Sequence, residues 1–545
     1  MEQPRRDGAD VEDTDRSTAG NQDPALQKKE DEENAGVSGP MDGEDTAGKD
    51  AFIVHFESGD PRNPLNFPVH IKGLLTLGMG VLALTGSVGS SIITPAENDI
   101  SADMHTSREV TVLALSLFLL GYAFGPMIWA PISEVYGRRW SILPGVFVLG
   151  LFSIGSARSK SAASLFVTRF LGGVFGSAPI SNTAAALGDF YPPQARGIPM
   201  AFLALCVVGG PTIAPIVGAA LTVNKHLGWR WTEYMEAIFV FSVLIVAFFT
   251  MPETYGPVLL GRKAQMMRKT SGDDRYWHPH EKQAIGIGNI MTKHLSRPLR
   301  MFFTEPMVTC IALYASFVYG LLFLTLEVFP IVFLEQRRYG VVTSTLPFLG
   351  LFVGVIFALT VNIANQPLYA RAVKRNHGRA APEARLPPML VGGVFFSAGL
   401  FWFGWTAAPK YPWPLPVVAA GETTRPSPVL GLQLGRGGAD TDDTGFIGAG
   451  FNIIFQQCLN FLVDIYGPYA ASAVAANNFM RSLMACGLPL AARPMFLRLG
   501  VGPASSLLGG ISCLALPVPL IFMRYAGTLR KMSKFAPPAG GGKSN

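Results

Sequence analysis

Residues 111–139 read TVLALSLFLLGYAFGPMIWAPISEVYGRR. Residues 111–129 carry no charge, and at 1.5 Å per helical residue such a run covers most of a hydrocarbon layer about 30 Å thick. Polar residues follow at once: Glu134, Arg138 and Arg139 stand at the foot of the run. The pattern predicts a membrane-spanning helix ending in a short cytoplasmic turn, because basic residues gather on that side. On charge alone the two arginines are topology markers. Their fixed separation from Glu134, with Gly137 permitting a tight turn, allows a sharper reading in which acid and base lock or release neighbouring helix ends.

The same alternation runs along the whole chain. Its 545 residues are 49% hydrophobic and 15% charged, against about 25% charged in a soluble domain, and the mean hydropathy is +0.31. Six apolar runs precede residue 252, at about 73–94, 109–130, 141–157, 163–187, 197–221 and 232–250. A polar, basic stretch interrupts them. Six more follow, at about 305–333, 343–363, 388–407, 445–466, 471–497 and 503–523. Two sixes around a linker predict an all-α membrane protein of twelve transmembrane helices in two six-helix bundles related as a pseudo-repeat. The expected partition is a disordered acidic tail (1–50, net charge −9), an N-terminal bundle (51–251), a central linker (252–304), a C-terminal bundle (305–524) and a C-terminal tail (525–545).

Lys and Arg cluster after the second and eighth runs, in the linker and in the C-terminal tail, which places linker and both termini in the cytosol; Arg337 and Arg338 dissent. The first fifty residues lack the apolar core of a signal peptide. The five cysteines lie in apolar runs without CxxC pairing and read as packing residues. No basic stripe interleaved with aromatics suggests nucleic acid, and no metal-ligand cluster stands out. A phosphate-binding loop, HExxH and nucleophile elbow are all absent, so neither ATP-driven transport nor hydrolysis is expected and the protein reads as a non-enzyme. An ion gradient must then supply the energy, with no cofactor.

Three motifs narrow the class. Ala130, Ile132, Ser133, Glu134, Gly137, Arg138 and Arg139 resemble the loop signature GxLaDrxGRR of the major facilitator superfamily, with Glu134 in place of its aspartate and Val135 in place of an arginine. LFVTRFLGGVFGSAP in the fourth run holds an intramembrane Arg169, which needs a partner or a task unless it snorkels to the outer interface. Its place matches the family's RxxxG element, which the resemblance ties to proton coupling. GGPTIAPIVGAAL in the fifth run carries Gly210, Ala214, Pro215 and Gly218 at the spacing of the antiporter signature GxxxGPxxGG, Ala214 and Ala219 replacing glycines. Small residues at this spacing let helices touch backbone to backbone, and Pro215 bends the helix. With LGDFYPPQARG, PETYGPVLLGRKA and NFLVDIYGPYAASAVAANNFMRS, these stretches resemble the fungal twelve-span drug:proton antiporters over roughly 51–534.

The resemblance implies a proton-coupled exporter of small amphipathic compounds, drugs or fungal secondary metabolites. It is expected to work as a monomer in the plasma membrane, with the vacuolar membrane as the alternative; its partners are the substrate, protons and lipid. A polyamine exporter, an uptake permease and a non-transporting sensor remain as other readings. Glu327, in the seventh run, is the first candidate to share proton coupling with Arg169, a structural acid being the equal alternative. Asp464 and Arg481 are expected to form a gate ion pair, and Glu236 to lie at the outer interface. Asn477 and Asn478 are candidate cavity residues; Phe317, Tyr319 and Phe323 are more simply packing aromatics. Residues 422–443 (ETTRPSPVLGLQLGRGGADTDD) interrupt the family pattern, as an outer loop or, the reading preferred, a retained intron.

Overall fold

The computed structural model describes residues 52–192, 195–282, 297–375, 382–420, 446–466 and 470–533. The acidic tail and the 422–443 stretch lie outside them, as does the C-terminal tail beyond Ser533. Twelve long helices carry the chain: α1 (Val69–Asp103, bent near Thr94), α2 (Arg108–Tyr136), α3 (Arg138–Ala157), α4 (Ala162–Phe190), α5 (Gly197–Val223) and α6 (Arg230–Thr250), then α7 (Pro306–Gln336), α8 (Val341–Arg375), α9 (Pro382–Thr406), α10 (Phe446–Tyr466), α11 (Ala470–Leu499) and α12 (Val501–Tyr525). All but α11 contain a stretch long and apolar enough to qualify as a span by length and composition. In α11 the residues Asn477, Asn478, Arg481 and Arg493 dilute the apolar run, yet the helix packs along α7 in the C-terminal bundle and against α2 across the seam between bundles. A helix buried among other helices does not need the lipid-facing apolarity of its neighbours.

Within the N-terminal half, α4 packs on α2 and α3, and α1 on α5; in the C-terminal half, α11 packs on α7, and α9 on α10 and α12. The bundles meet along α2–α11 and α5–α8. Close approach of α5 to α1 rests on the small-residue motif. A Cβ at Gly210 would collide with Ser87, and one at Gly218 with the Ile92 carbonyl. Backbone contact of this kind replaces the hydrophobic drive that lipid does not supply. Ala214 is buried on the same helix, and Pro215 borders a small cavity between the bundles.

The linker folds into a helix, Gly256–Ser271, closed by Gly272 in the left-handed region (φ +68°). Residues 52–66, expected to belong to the first bundle, dock onto that helix instead. Ile53 bridges Trp277, and Lys263 reaches Asp60 at 3.0 Å and Glu57 at 3.4 Å. Arg268 binds Glu281 at 2.7 Å and holds its carboxyl below the usual range. The side carrying this assembly is called here the linker face.

Candidate functional site

Gly137 adopts φ +98° between α2 and α3, a conformation that L-residues with a Cβ avoid, and a Cβ there would strike the Glu253 carboxylate. That carboxylate accepts the backbone N–H groups of Arg138 (2.8 Å) and Arg139 (3.2 Å) at the open start of α3, together with those of Thr254 and Tyr255. An acid at a helix N-terminus satisfies donors the helix itself leaves unpaired. The Arg138 side chain turns inward, donating to Asp189 at the end of α4 (2.9 Å) and to Ser133 (2.6 Å), over the Tyr255 ring. Arg139 donates outward to the Phe248 carbonyl at 2.7 Å. The loop motif is thus knotted to α4 and α6 within its own bundle, with Asp189 and Glu253 among the carboxylates that hold it.

The second bundle repeats the device. Arg385, ahead of the long run of α9, binds Asp464 near the end of α10 at 3.2 Å and stacks over Tyr369, whose hydroxyl donates to Asp464 at 2.8 Å. The pseudo-repeat is therefore visible in ion pairs: each ties the turn between the second and third helices of a bundle to the end of its fourth. It also corrects the expected Asp464–Arg481 pair, since Asp464 is taken by Arg385.

Arg169 does not snorkel. It is 1% exposed, donates to Glu233 (3.2 Å) and to the carbonyls of Ala114 and Ser90, and lies 3.8 Å from Glu236 and over the Phe118 ring. Glu233 and Glu236 are fully buried, so the interfacial placement of Glu236 is overturned. Their spacing of three residues puts both carboxyls on one face of α6. Gly89 on α1 makes the room, because a Cβ there would collide with the Glu236 carboxylate. One guanidinium facing two carboxyls is neutral with one proton on the pair and carries −1 without it. The site therefore has the stoichiometry of a proton carrier in a region where an unpaired charge costs several kcal/mol, on the order of 3–5.

Glu327 is likewise buried, and the acid beside it is Glu97 of α1, across the seam, which also lies 3.8 Å from Arg108. Two carboxyls in one buried site do not both ionise readily, since like charges repel there. Around this pair the bundles are stapled at the face opposite the linker. Arg108 binds Glu335 at 2.5 Å, and Arg493 binds Glu335 at 2.7 Å and approaches Glu109 at 3.9 Å. Glu335 follows Pro330, after which α7 winds as a π-helix to Gln336.

On the linker side the bundles diverge around a cleft with a volume of about 120 Å³. Its lining starts within a turn of the helix ends, at Met200 and Val474, and reaches Arg481 about two turns deeper along α11. Asn478 lines it; Asn477 is fully buried, its amide atoms without a hydrogen-bond partner among the described residues, and it is not among the lining residues. Tyr319 does more than pack: its ring and that of Phe455 lie under the Arg481 guanidinium at 4.3 and 4.9 Å. Larger grooves between α1 and α6 and between α3 and α6 have almost wholly apolar linings and suit lipid rather than a polar ligand.

Two helical bundles, sealed at one face and parted at the other around a cleft, define a membrane carrier. Residues 79–489 match the Major Facilitator Superfamily, and the chain belongs to that family. It is 36% identical to efflux pump bik6 of Gibberella fujikuroi (89% of this chain, 95% of that one) and 35% identical to the multidrug transporter FLU1 of Candida albicans (90% and 77%). It is also 36% identical to the citrinin biosynthesis cluster transporter mrr1 of Monascus ruber (91% and 94%). Among solved structures it resembles the xylose transporter XylE from E. coli (TM-score 0.56, 14% identity, 87% and 100% covered) and the human organic anion transporter MFSD10 (0.54, 14%, 82% and 99%), likenesses that concern the fold.

Proposed function

We propose that the chain is a proton-coupled exporter of small amphipathic compounds, drugs or secondary metabolites, that works as a monomer in the plasma membrane with linker and termini in the cytosol and needs no cofactor. The observation that carries this reading is one-sided access: a cleft opens toward the basic linker face while ion pairs between the bundles close the other. Substrate enters from the cytosol, the bundles rock, and the staple of Arg108, Glu335 and Arg493 parts to release it outside. Arg169 with Glu233 and Glu236 carries the proton inward; the Glu97–Glu327 pair is a second acid whose proton is exchanged as the seam opens. The names efflux pump and multidrug transporter among the relatives support the outward direction.

The test is retention of fluorescent amphipaths in a yeast lacking its own pumps, with and without a protonophore, for the full chain and for the chain lacking 422–443. Protonophore-sensitive loss of dye is expected. Dye loss unaffected by the protonophore, with the protein verified at the cell surface, refutes proton coupling; net dye entry replaces export with uptake.

A further inference from the structure

We infer that Arg481 is the docking point for the acidic group of the transported compound, and that the substrates are amphipathic organic anions such as aromatic carboxylates and acidic phenols. This rests on the exporter reading and names the substrate class of its cleft.

Four arginines are buried among the described residues: Arg138, Arg169, Arg385 and Arg481. The first three each face a carboxylate. Arg481, 4% exposed, forms no ion pair among the described residues, and its Nε has no hydrogen-bond acceptor. A buried guanidinium without a counter-charge is costly, so its retention needs a compensating interaction. The rings of Tyr319 and Phe455 supply part of it through the cation–π contact. A stacked guanidinium is held by its face, which leaves the in-plane fork of N–H groups free for two parallel bonds to a carboxylate.

The surroundings suit the same ligand. Nearby, Gln456 is oriented by Asn362, which donates to its carbonyl at 2.6 Å, and its own amide nitrogen has no partner among the described residues. Both unused groups are therefore donors. Arg481 is the sole charged residue among the described residues lining the cleft, the rest being apolar residues such as Leu203, Val207 and Leu459 and a few neutral polar ones. An apolar body against α4 and α5 with an acid at the Arg481 end fills this space, whereas a polyamine would bring cations to a cation.

Two xanthene dyes of similar shape and opposite charge test the inference: fluorescein as anion and rhodamine 6G as cation. Binding to the purified full chain is read by fluorescence anisotropy at neutral pH. The expected result is saturable fluorescein binding, stronger than that of rhodamine 6G, weakened at least about tenfold by Arg481→Gln and only partly restored by Arg481→Lys, with rhodamine 6G bound no more weakly by the glutamine variant. Stronger binding of rhodamine 6G by the unmodified protein, absence of saturable fluorescein binding, or equal fluorescein affinity in the glutamine variant overturns it. The dye preference of the unmodified chain decides the matter even if Arg481→Gln fails to fold. Flux separates the two readings. Fluorescein binding without protonophore-sensitive export keeps the anion site and sinks the exporter; rhodamine 6G export indifferent to Arg481→Gln keeps the exporter and sinks the anion site.

Discussion

Replacing Glu236 by glutamine keeps the shape of the side chain and removes only its charge. In the structure Arg169 remains bound to Glu233 at 3.2 Å, so the buried cation keeps a counter-ion and the fold has little reason to suffer. The cluster of one guanidinium and two carboxyls, free to alternate between −1 and neutral, becomes permanently neutral. A carrier that exchanges one proton per substrate gains about 1.4 kcal/mol per pH unit, a tenfold concentration ratio. Everted vesicles about 2 pH units more acidic inside should therefore concentrate an exported dye by about 100-fold with the unmodified protein and by about 1-fold with Glu236→Gln. Dye exchange between equal concentrations at uniform pH should persist in the variant, which distinguishes lost coupling from lost transport. Accumulation by Glu236→Gln equal to that of the unmodified chain would refute the reasoning, and loss of accumulation in Glu327→Gln alone would move coupling to the seam.

Gly137→Ala forces a Cβ toward the Glu253 carboxylate at φ +98° and should cost about 1–3 kcal/mol, read as a lower unfolding temperature of the purified protein. Glu335→Gln weakens one ion pair across the seam, to Arg108, and one within the second bundle, to Arg493, each worth roughly 0.2–1 kcal/mol, and should lower cross-linking between cysteines placed at Asn98 and Leu334, which border one cavity there. Glu281, held below the usual carboxylate range first by its hydrogen bond from Arg268, stabilises the linker fold above its unfolded-state pKa and loses that contribution as pH falls through the lower folded value. Hydrogen exchange in Gly256–Ser271 should accordingly stay constant from neutral pH to about 5, after correction for intrinsic rates, and rise only below the ordinary carboxylate pKa of about 4.3. A rise already at pH 6 would assign the loosening to another group.

Apolar run length was enough to locate all twelve helices, because the bilayer fixes how long a span must be. Even α11, diluted by Asn477, Asn478, Arg481 and Arg493, was recognisable by length and by its apolar flanks. The ends were less legible: α8 continues to Arg375, since a helix whose backbone bonds are internally satisfied has no reason to stop at the membrane surface. The residues of the loop and helix motifs were found from spacing, but their partners were not. Asp189 and Glu253 lie 51 and 115 positions from Arg138, and no local pattern announces such a pairing. Asp464 and Arg481 were matched for lying near the same membrane end, a criterion Arg385 meets as well. Glu236 was misplaced because what admits it to the interior is the missing side chain of Gly89 on another helix.

The staple at the face opposite the linker differs physically from the charges deeper in. Arg108, Glu109, Glu335 and Arg493 keep part of their surface open, whereas Arg169, Glu233 and Glu236 are sealed. Dissolved ions screen the first group over a Debye length of about 8 Å at physiological ionic strength and scarcely reach the second. The salinity of the surroundings thus acts on the resting orientation of the bundles while leaving the buried proton chemistry as it is.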